Sequence, residues 1–231
     1  MRLLNDLPAN IRIAALICSL IVGSCASRPS EQTSAGELLI LGREDLKAER
    51  FQSAREAFKK LLREHPDSRH RRQALINLAD SYYNAGEYIE AKVQYEEYVQ
   101  LYPISAQTPK AYFFLGMSDY NTILAVDRDQ DSTRQALINF RELLKRFPKS
   151  ELSPDAKKRI TQLRLLLGKH EMLISRFYIR RGLRVSAIPR LREVIDKYKD
   201  IPELRAEALF YLGESYLLEE SFIKAAEAFR L

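Results

Sequence analysis

Apolar residues recur along this chain at offsets of three and four from about residue 36 onward. In Leu38-x-x-Leu41-Gly42, Leu75-x-x-Leu78-Ala79-x-x-Tyr82 and Leu209-x-x-Leu212-Gly213-x-x-Tyr216, those offsets put apolar and small residues on one helical face. A second kind of segment carries an alanine followed four positions on by an aromatic residue or leucine. The pairs are Ala54 and Phe58, Ala91 and Tyr95, Ala136 and Phe140, Ala187 and Leu191, and Ala225 and Phe229. The first four of these segments run out into "REHPDS", "QLYPIS", "KRFPKS" and a degenerate "DKYKDIP", where proline stops the helix. The pattern predicts helix pairs, repeated.

The five alanines are spaced by 37, 45, 51 and 38 residues. A period of this size, with one helix pair in each, resembles the tetratricopeptide repeat, a helix–turn–helix of about 34 residues. The expected fold is therefore all-α, a superhelix of about five helix–turn–helix units covering residues 36–231. Their approximate bounds are 36–68, 72–105, 109–150, 154–200 and 203–231. The small residue of each first helix is expected to let its partner approach, with the alanine opposite completing the contact. Two units depart from the ideal. Gly116 and Ala136 are 20 apart where Gly213 and Ala225 are 12 apart, a surplus of eight residues around "NTILAVDRDQDS", expected as a long turn. The fourth unit is expected to open a long helix with Ser153 as N-cap and Pro154 at its first position. Pro189 is expected to make the next helix start late or bend.

Ahead of the repeats, Ile11 to Ser24 is apolar or small apart from Arg12. A membrane-crossing helix needs roughly 20 apolar residues, so the run reads as the core of a signal peptide with a basic start. Val22-Gly23-Ser24-Cys25 resembles a bacterial lipobox. In lipoproteins of that type the chain is cut before the cysteine, whose thiol is acylated. The expectation is a signal peptide over residues 1–24, a lipidated Cys25, and a linker over 25–35 leading to the repeats. Each buried methylene contributes about 0.8 kcal/mol, so several acyl chains hold a protein durably on a bilayer. The competing reading is an ordinary secretory signal with a chance cysteine. Ala26 follows Cys25 where an inner-membrane retention signal would place aspartate, which implies the outer membrane. Cys18 lies in the signal core, so a chain processed in this way keeps no thiol for a disulfide, zinc–thiolate site or cysteine nucleophile.

The formal charge is +6, or +5 once Arg2, Arg12 and Asp6 leave with the signal peptide. A basic surface suits nucleic acid, anionic lipid or an acidic partner, and export excludes nucleic acid. From Asp155 to Arg184 there are nine Lys or Arg residues against two acids, either a solvated helix face or a dock for acidic surface. Asp127, Asp129 and Asp131 have the spacing of a calcium loop's start, but Ser132 and Ile138 stand where such a loop needs glycine and glutamate. His65, His70 and His170 share no ligand spacing. Without a phosphate-cradling glycine loop or a nucleophile motif, the chain is expected to be no enzyme and to hold no metal or cofactor. Tyr82 matches the repeat's packing position, whereas Tyr83 and Tyr88 are open to contact in a groove, where extended segments bind.

The segment from Ala125 to Gly182, with "DRDQ", "FPKS", "DAKKRI", "KHE" and "RFYIRRG", resembles the BamD family of lipoproteins of the β-barrel assembly machinery. The earlier "LADSYYNAGEYIEA" and the lipobox fall in matching order. Departures are Lys199 where the repeat usually has proline, and Arg184 and Pro189 in the fourth unit. The resemblance implies a lipid-anchored scaffold on the periplasmic face of the outer membrane. Its first units would receive unfolded outer-membrane proteins, with Tyr83 and Tyr88 as groove candidates. Its last units would bind the periplasmic domains of the barrel-forming BamA subunit, alongside other assembly-machinery lipoproteins. Arg181 and Arg190, with Arg180 beside them, fall at the positions facing that subunit. The rival reading is a tetratricopeptide lipoprotein adaptor for cell-wall or cell-division machinery.

Overall fold

The apolar stripes resolve into ten α-helices in a computed structural model that describes residues 33–231. The signal segment, Cys25 and most of the expected linker lie outside the described residues. The helices are α1 (Ala35–Lys47), α2 (Phe51–Glu64), α3 (Arg71–Asn84), α4 (Tyr88–Leu101), α5 (Thr108–Asn121), α6 (Asp131–Arg146), α7 (Ser153–Arg180), α8 (Arg184–Lys197), α9 (Pro202–Leu217) and α10 (Phe222–Arg230). No strand occurs among the described residues. Each helix packs on the next, and first helices of neighbouring units also touch, α1 with α3, α3 with α5 and α7 with α9. The odd-numbered helices therefore line one face and the even-numbered helices the other, the architecture of stacked tetratricopeptide units.

Local chemistry sets the ends. Ser34 caps α1 through a capping box: the Glu37 N–H donates to Ser34 Oγ, and the Glu37 carboxylate accepts from the Ser34 N–H at 2.8 Å. The Ser34 hydroxyl and then its N–H, both donating to the Glu37 carboxylate, lower that carboxyl from its ordinary value. Four of the five turns within units share one geometry. Glu49, Gly86, Gly182 and Glu220 take positive φ of 57°, 77°, 73° and 57°. The next N–H then reaches back to Asp45, Tyr82, Tyr178 and Tyr216 respectively, closing the helix ends in Schellman fashion.

The third unit uses the expected long turn instead, residues 122–130. There the fully buried Gln130 donates to the carbonyls of Ala125 and Arg128 and accepts from Thr133. His170, far along α7, bonds through Nδ1 to the Val126 carbonyl at 2.6 Å. His65 likewise bonds to the Thr33 carbonyl through Nε2 at 3.0 Å.

Within units, the small residue of the first helix faces an aromatic ring, not only the alanine expected there. A Cβ on Gly42 would lie 2.4 Å from the Phe58 ring; one on Gly116 would lie 3.0 Å from Phe140, and one on Gly213 2.4 Å from Phe229. Glycine is needed because the ring, four residues past the alanine, occupies the space a side chain would fill. Gly42→Ala is expected to cost about 1–3 kcal/mol of stability, because Phe58 is fully buried and has little room to yield. A urea midpoint equal to that of the parent chain would show that the ring moves aside.

At the fourth unit one expectation is corrected, and of another the late start but not the bend. Ser153 is not an N-cap: it lies inside α7, behind Leu152, and its buried hydroxyl donates to the Phe147 carbonyl at 3.1 Å. Thr108 does the same for Tyr102 at 2.6 Å. At both unit boundaries the hydroxyl satisfies the carbonyl at the end of the preceding helix, which competes with capping its own helix. Pro189 does not delay α8, which begins at Arg184 and carries the proline inside. Its missing N–H would have bonded Val185, whose side chain is 82% exposed, placing that turn at the surface where water can serve the carbonyl.

Candidate functional site

Two surfaces bring the candidate residues together. The first lies on the odd-helix face of the second and third units. Tyr83, near the end of α3, meets Tyr88 edge-on at 5.3 Å and Phe114 of α5 at 4.9 Å between ring centroids. Its hydroxyl accepts a hydrogen bond from Asn121 Nδ2 at 3.0 Å. Partial burial pushes the Tyr83 phenol up from its ordinary value. Tyr83 is thus a bridge between units as well as a groove residue, and Tyr88 stays half-buried beside it. Further along, Arg159 of α7 lies 4.6 Å over the Tyr120 ring, extending the aromatic row with a cation. Tyr82, by contrast, packs against the core, with Arg55 over its ring at 4.7 Å.

Two carboxylates hold this face rigid. Asp80 on α3 accepts from the Tyr95 hydroxyl at 2.7 Å and from Lys110 at 2.5 Å, joining α3, α4 and α5. Asp119 on α5 accepts from Lys92 and Asn139, each at 2.8 Å, joining α4, α5 and α6. Burial raises the Asp119 carboxyl, while the Lys92 and Asn139 contacts pull against it. Buried charges in this arrangement are paired on both oxygens, as low-dielectric surroundings require.

The second surface is the tip where α7 meets α8. Arg180 and Arg181 are exposed at the end of the 28-residue α7, where cations complement the helix dipole. Neither makes an ion pair among the described residues; Arg181 lies 5.5 Å over the Phe177 ring. Arg190 sits half-buried in mid-helix, 3.1 Å from Glu171 and 5.7 Å over the Tyr178 ring. The uninterrupted α8 turns its side chain back onto α7. Sequence reasoning missed Phe177, Leu183 and Val185, exposed apolar side chains beside the arginines. Their signal was present as apolar residues flanking "RRG", but periodicity alone assigns such residues to the core.

Among the described residues no cluster of His, Cys, Asp or Glu has the makings of a metal site. Asp129 and Asp131 are engaged locally, with the Asp131 N–H and with Arg134. No described helix is long and apolar enough to cross a membrane. What remains is an array of stacked helix pairs with one aromatic and one arginine-rich face, which defines a repeat scaffold of the tetratricopeptide class.

The particular family follows from comparison. Residues 31–228 match the YfiO family, described as an outer membrane lipoprotein, and the chain belongs to that family. It is 29% identical to the outer membrane protein assembly factor BamD of Caulobacter vibrioides, over 94% of this chain and 72% of that protein. The same identity holds to the BamD of Rickettsia prowazekii, over 89% of this chain and 82% of that one. Identity to the BamD of Haemophilus influenzae is 27%, over 87% and 80%. A solved tetratricopeptide repeat protein from Parabacteroides merdae superposes with a TM-score of 0.47 at 15% identity, over 94% of this chain and 82% of that one.

Proposed function

We propose that this protein is a scaffold, rather than an enzyme, of the machinery that assembles β-barrel proteins in the outer membrane. The observation that carries this is family membership over residues 31–228, with relatives that are named outer membrane protein assembly factors. It favours this reading over an adaptor for cell-wall or division machinery. In our reading Cys25 carries the lipid that holds the chain on the periplasmic face of the outer membrane. The repeats then fill residues 36–231, after the signal peptide and linker.

The odd-helix face around Tyr83 and Tyr88 takes unfolded barrel-protein segments. Rigid aromatic rings provide sequence-tolerant contact area for the aromatic side chains of such segments at low entropic cost. The tip carrying Arg180, Arg181 and Arg190 receives the periplasmic domains of the BamA-like subunit, with other assembly-machinery lipoproteins elsewhere on the stack. Support for the tip comes from its composition: Arg180 and Arg181 are exposed beside the Phe177 ring, and arginine is enriched at interface hot spots.

The test is photocrosslinking from positions 83 and 88 to a peptide of a barrel protein's last strand. Labelling is expected from both positions and should be competed by unlabelled peptide. Labelling confined to probes placed on α7 to α10 would overturn the assignment of the groove.

A further inference from the structure

Between the second helices of the third and fourth units lies a groove of about 470 Å³. Residues 134, 137, 138 and 141 form one stripe of α6 along its wall, and residues 160, 164, 167 and 171 form one stripe of α7 along its floor. The end of α8 closes it with Lys197 and Tyr198. The base is apolar, with Leu137, Ile160 and Leu167, while four cations and a single acid stand around it.

Most of that charge is already placed. Arg164 forks onto Asp200, at 2.6 Å from Oδ1, and donates to the Lys197 carbonyl at 2.9 Å. Lys197 reaches Glu193, Arg134 reaches Asp131, and the one acid of the groove, Glu171, is taken by Arg190. Two groups are left over. Arg141 makes no ion pair or hydrogen bond among the described residues. Tyr198 is only 3% exposed, and its hydroxyl has no hydrogen-bond partner among them. The hydroxyl is not enclosed: it keeps solvent contact where Tyr198 lines the groove. The Arg164 guanidinium lies over the Tyr198 ring, 5.7 Å from the centroid.

We infer that this groove binds an acidic segment of a partner protein, seating a large apolar side chain on Leu137, Ile160 and Leu167 with a neighbouring carboxylate between Arg141 and the Tyr198 hydroxyl. A planar guanidinium accepts a carboxylate in two places, and the phenol supplies a further donor. The cavity falls in the size range of a site for one compact ligand, about 300–1,000 Å³, and helices confine it on three sides. That size suits single side chains.

The inference does not depend on the barrel subunit being the partner, since neither Arg181 nor Arg190 lines the groove. Its test uses the full lipidated chain in detergent and a dye-labelled peptide, Glu-Leu-Glu-Phe-Glu-Leu, followed by fluorescence anisotropy. The peptide is expected to bind, and its all-glutamine counterpart to bind about tenfold more weakly or worse. Arg141→Glu should weaken the acidic peptide by about tenfold or more, and Tyr198→Phe by roughly threefold with an unchanged melting curve. Equal affinities for parent and Arg141→Glu would overturn the inference. So would failure of the peptide to bind while phosphatidylglycerol vesicles bind and are lost in Arg141→Glu, which would make this a lipid site. Failure of both probes would leave the groove without the assigned role and equally overturn it. The crosslinks at positions 83 and 88 report the proposed function separately in every case.

Discussion

Phe140→Ala is expected to lower the stability of the chain by about 3–5 kcal/mol, the range for removing a fully buried phenyl ring from a core. Phe140 has no exposed surface, lies against Gly116, and meets Phe113 edge-on at 5.6 Å. The site cannot collapse to fill the space, because Asp119 ties Lys92 and Asn139 across the same three helices. In a repeat array each unit is stabilised mainly by its neighbours, so a weak third unit should uncouple the two ends. Urea unfolding followed by circular dichroism should show an earlier and broader transition. A single transition with a loss under about 1 kcal/mol would mean that the core repacks, contrary to the rigidity argued for that unit.

The double substitution Arg181→Ala, Arg190→Ala is expected to weaken binding to the periplasmic domains of the BamA-like subunit by about 2 kcal/mol or more, roughly 30-fold in Kd. The estimate sits at the low end for charge pairs because Arg190 must first exchange Glu171 for an acid of the partner. Arg181 has no acid to give up. Helicity and melting should change little, since Arg181 makes no ion pair among the described residues and Arg190 makes a single, partly solvated one with Glu171. Unchanged affinity would move the interface elsewhere on the stack. Lost helicity would make the Arg190–Glu171 pair structural.

Much of this molecule was legible in the residues. The offsets of three and four, the alanine and aromatic pairs and the proline-terminated segments were enough to read five helix pairs, because helical burial has a period that sequence displays directly. The surplus eight residues marked the third unit's long turn. Elsewhere the same reasoning ran short for a common cause: a partner distant in sequence took a group that local rules had assigned. Ser153 has the composition of an N-cap, but the Phe147 carbonyl claims its hydroxyl. Glu49 and Glu220 occupy a left-handed turn position that usually signals itself with glycine, as Gly86 and Gly182 do in their own units.

The candidate site divides along the same line. The fold class, the number of helix pairs and the family resemblance could all be read from the residues, because each is written in short-range spacing and residue type. Only the tertiary structure decided what the site residues do. It joined Tyr83 to Phe114 and Asn121, 31 and 38 positions away. It gave Arg190 an internal partner in Glu171, exposed Leu183 and Val185 at the tip, and left Arg141 and the Tyr198 hydroxyl facing a groove without partners. Spacing along a helix fixes which face a residue occupies, but which neighbour meets that face depends on how the units stack. Stacking is set by carboxylates shared across three helices and by contacts such as Tyr83 on Phe114, which no local pattern records.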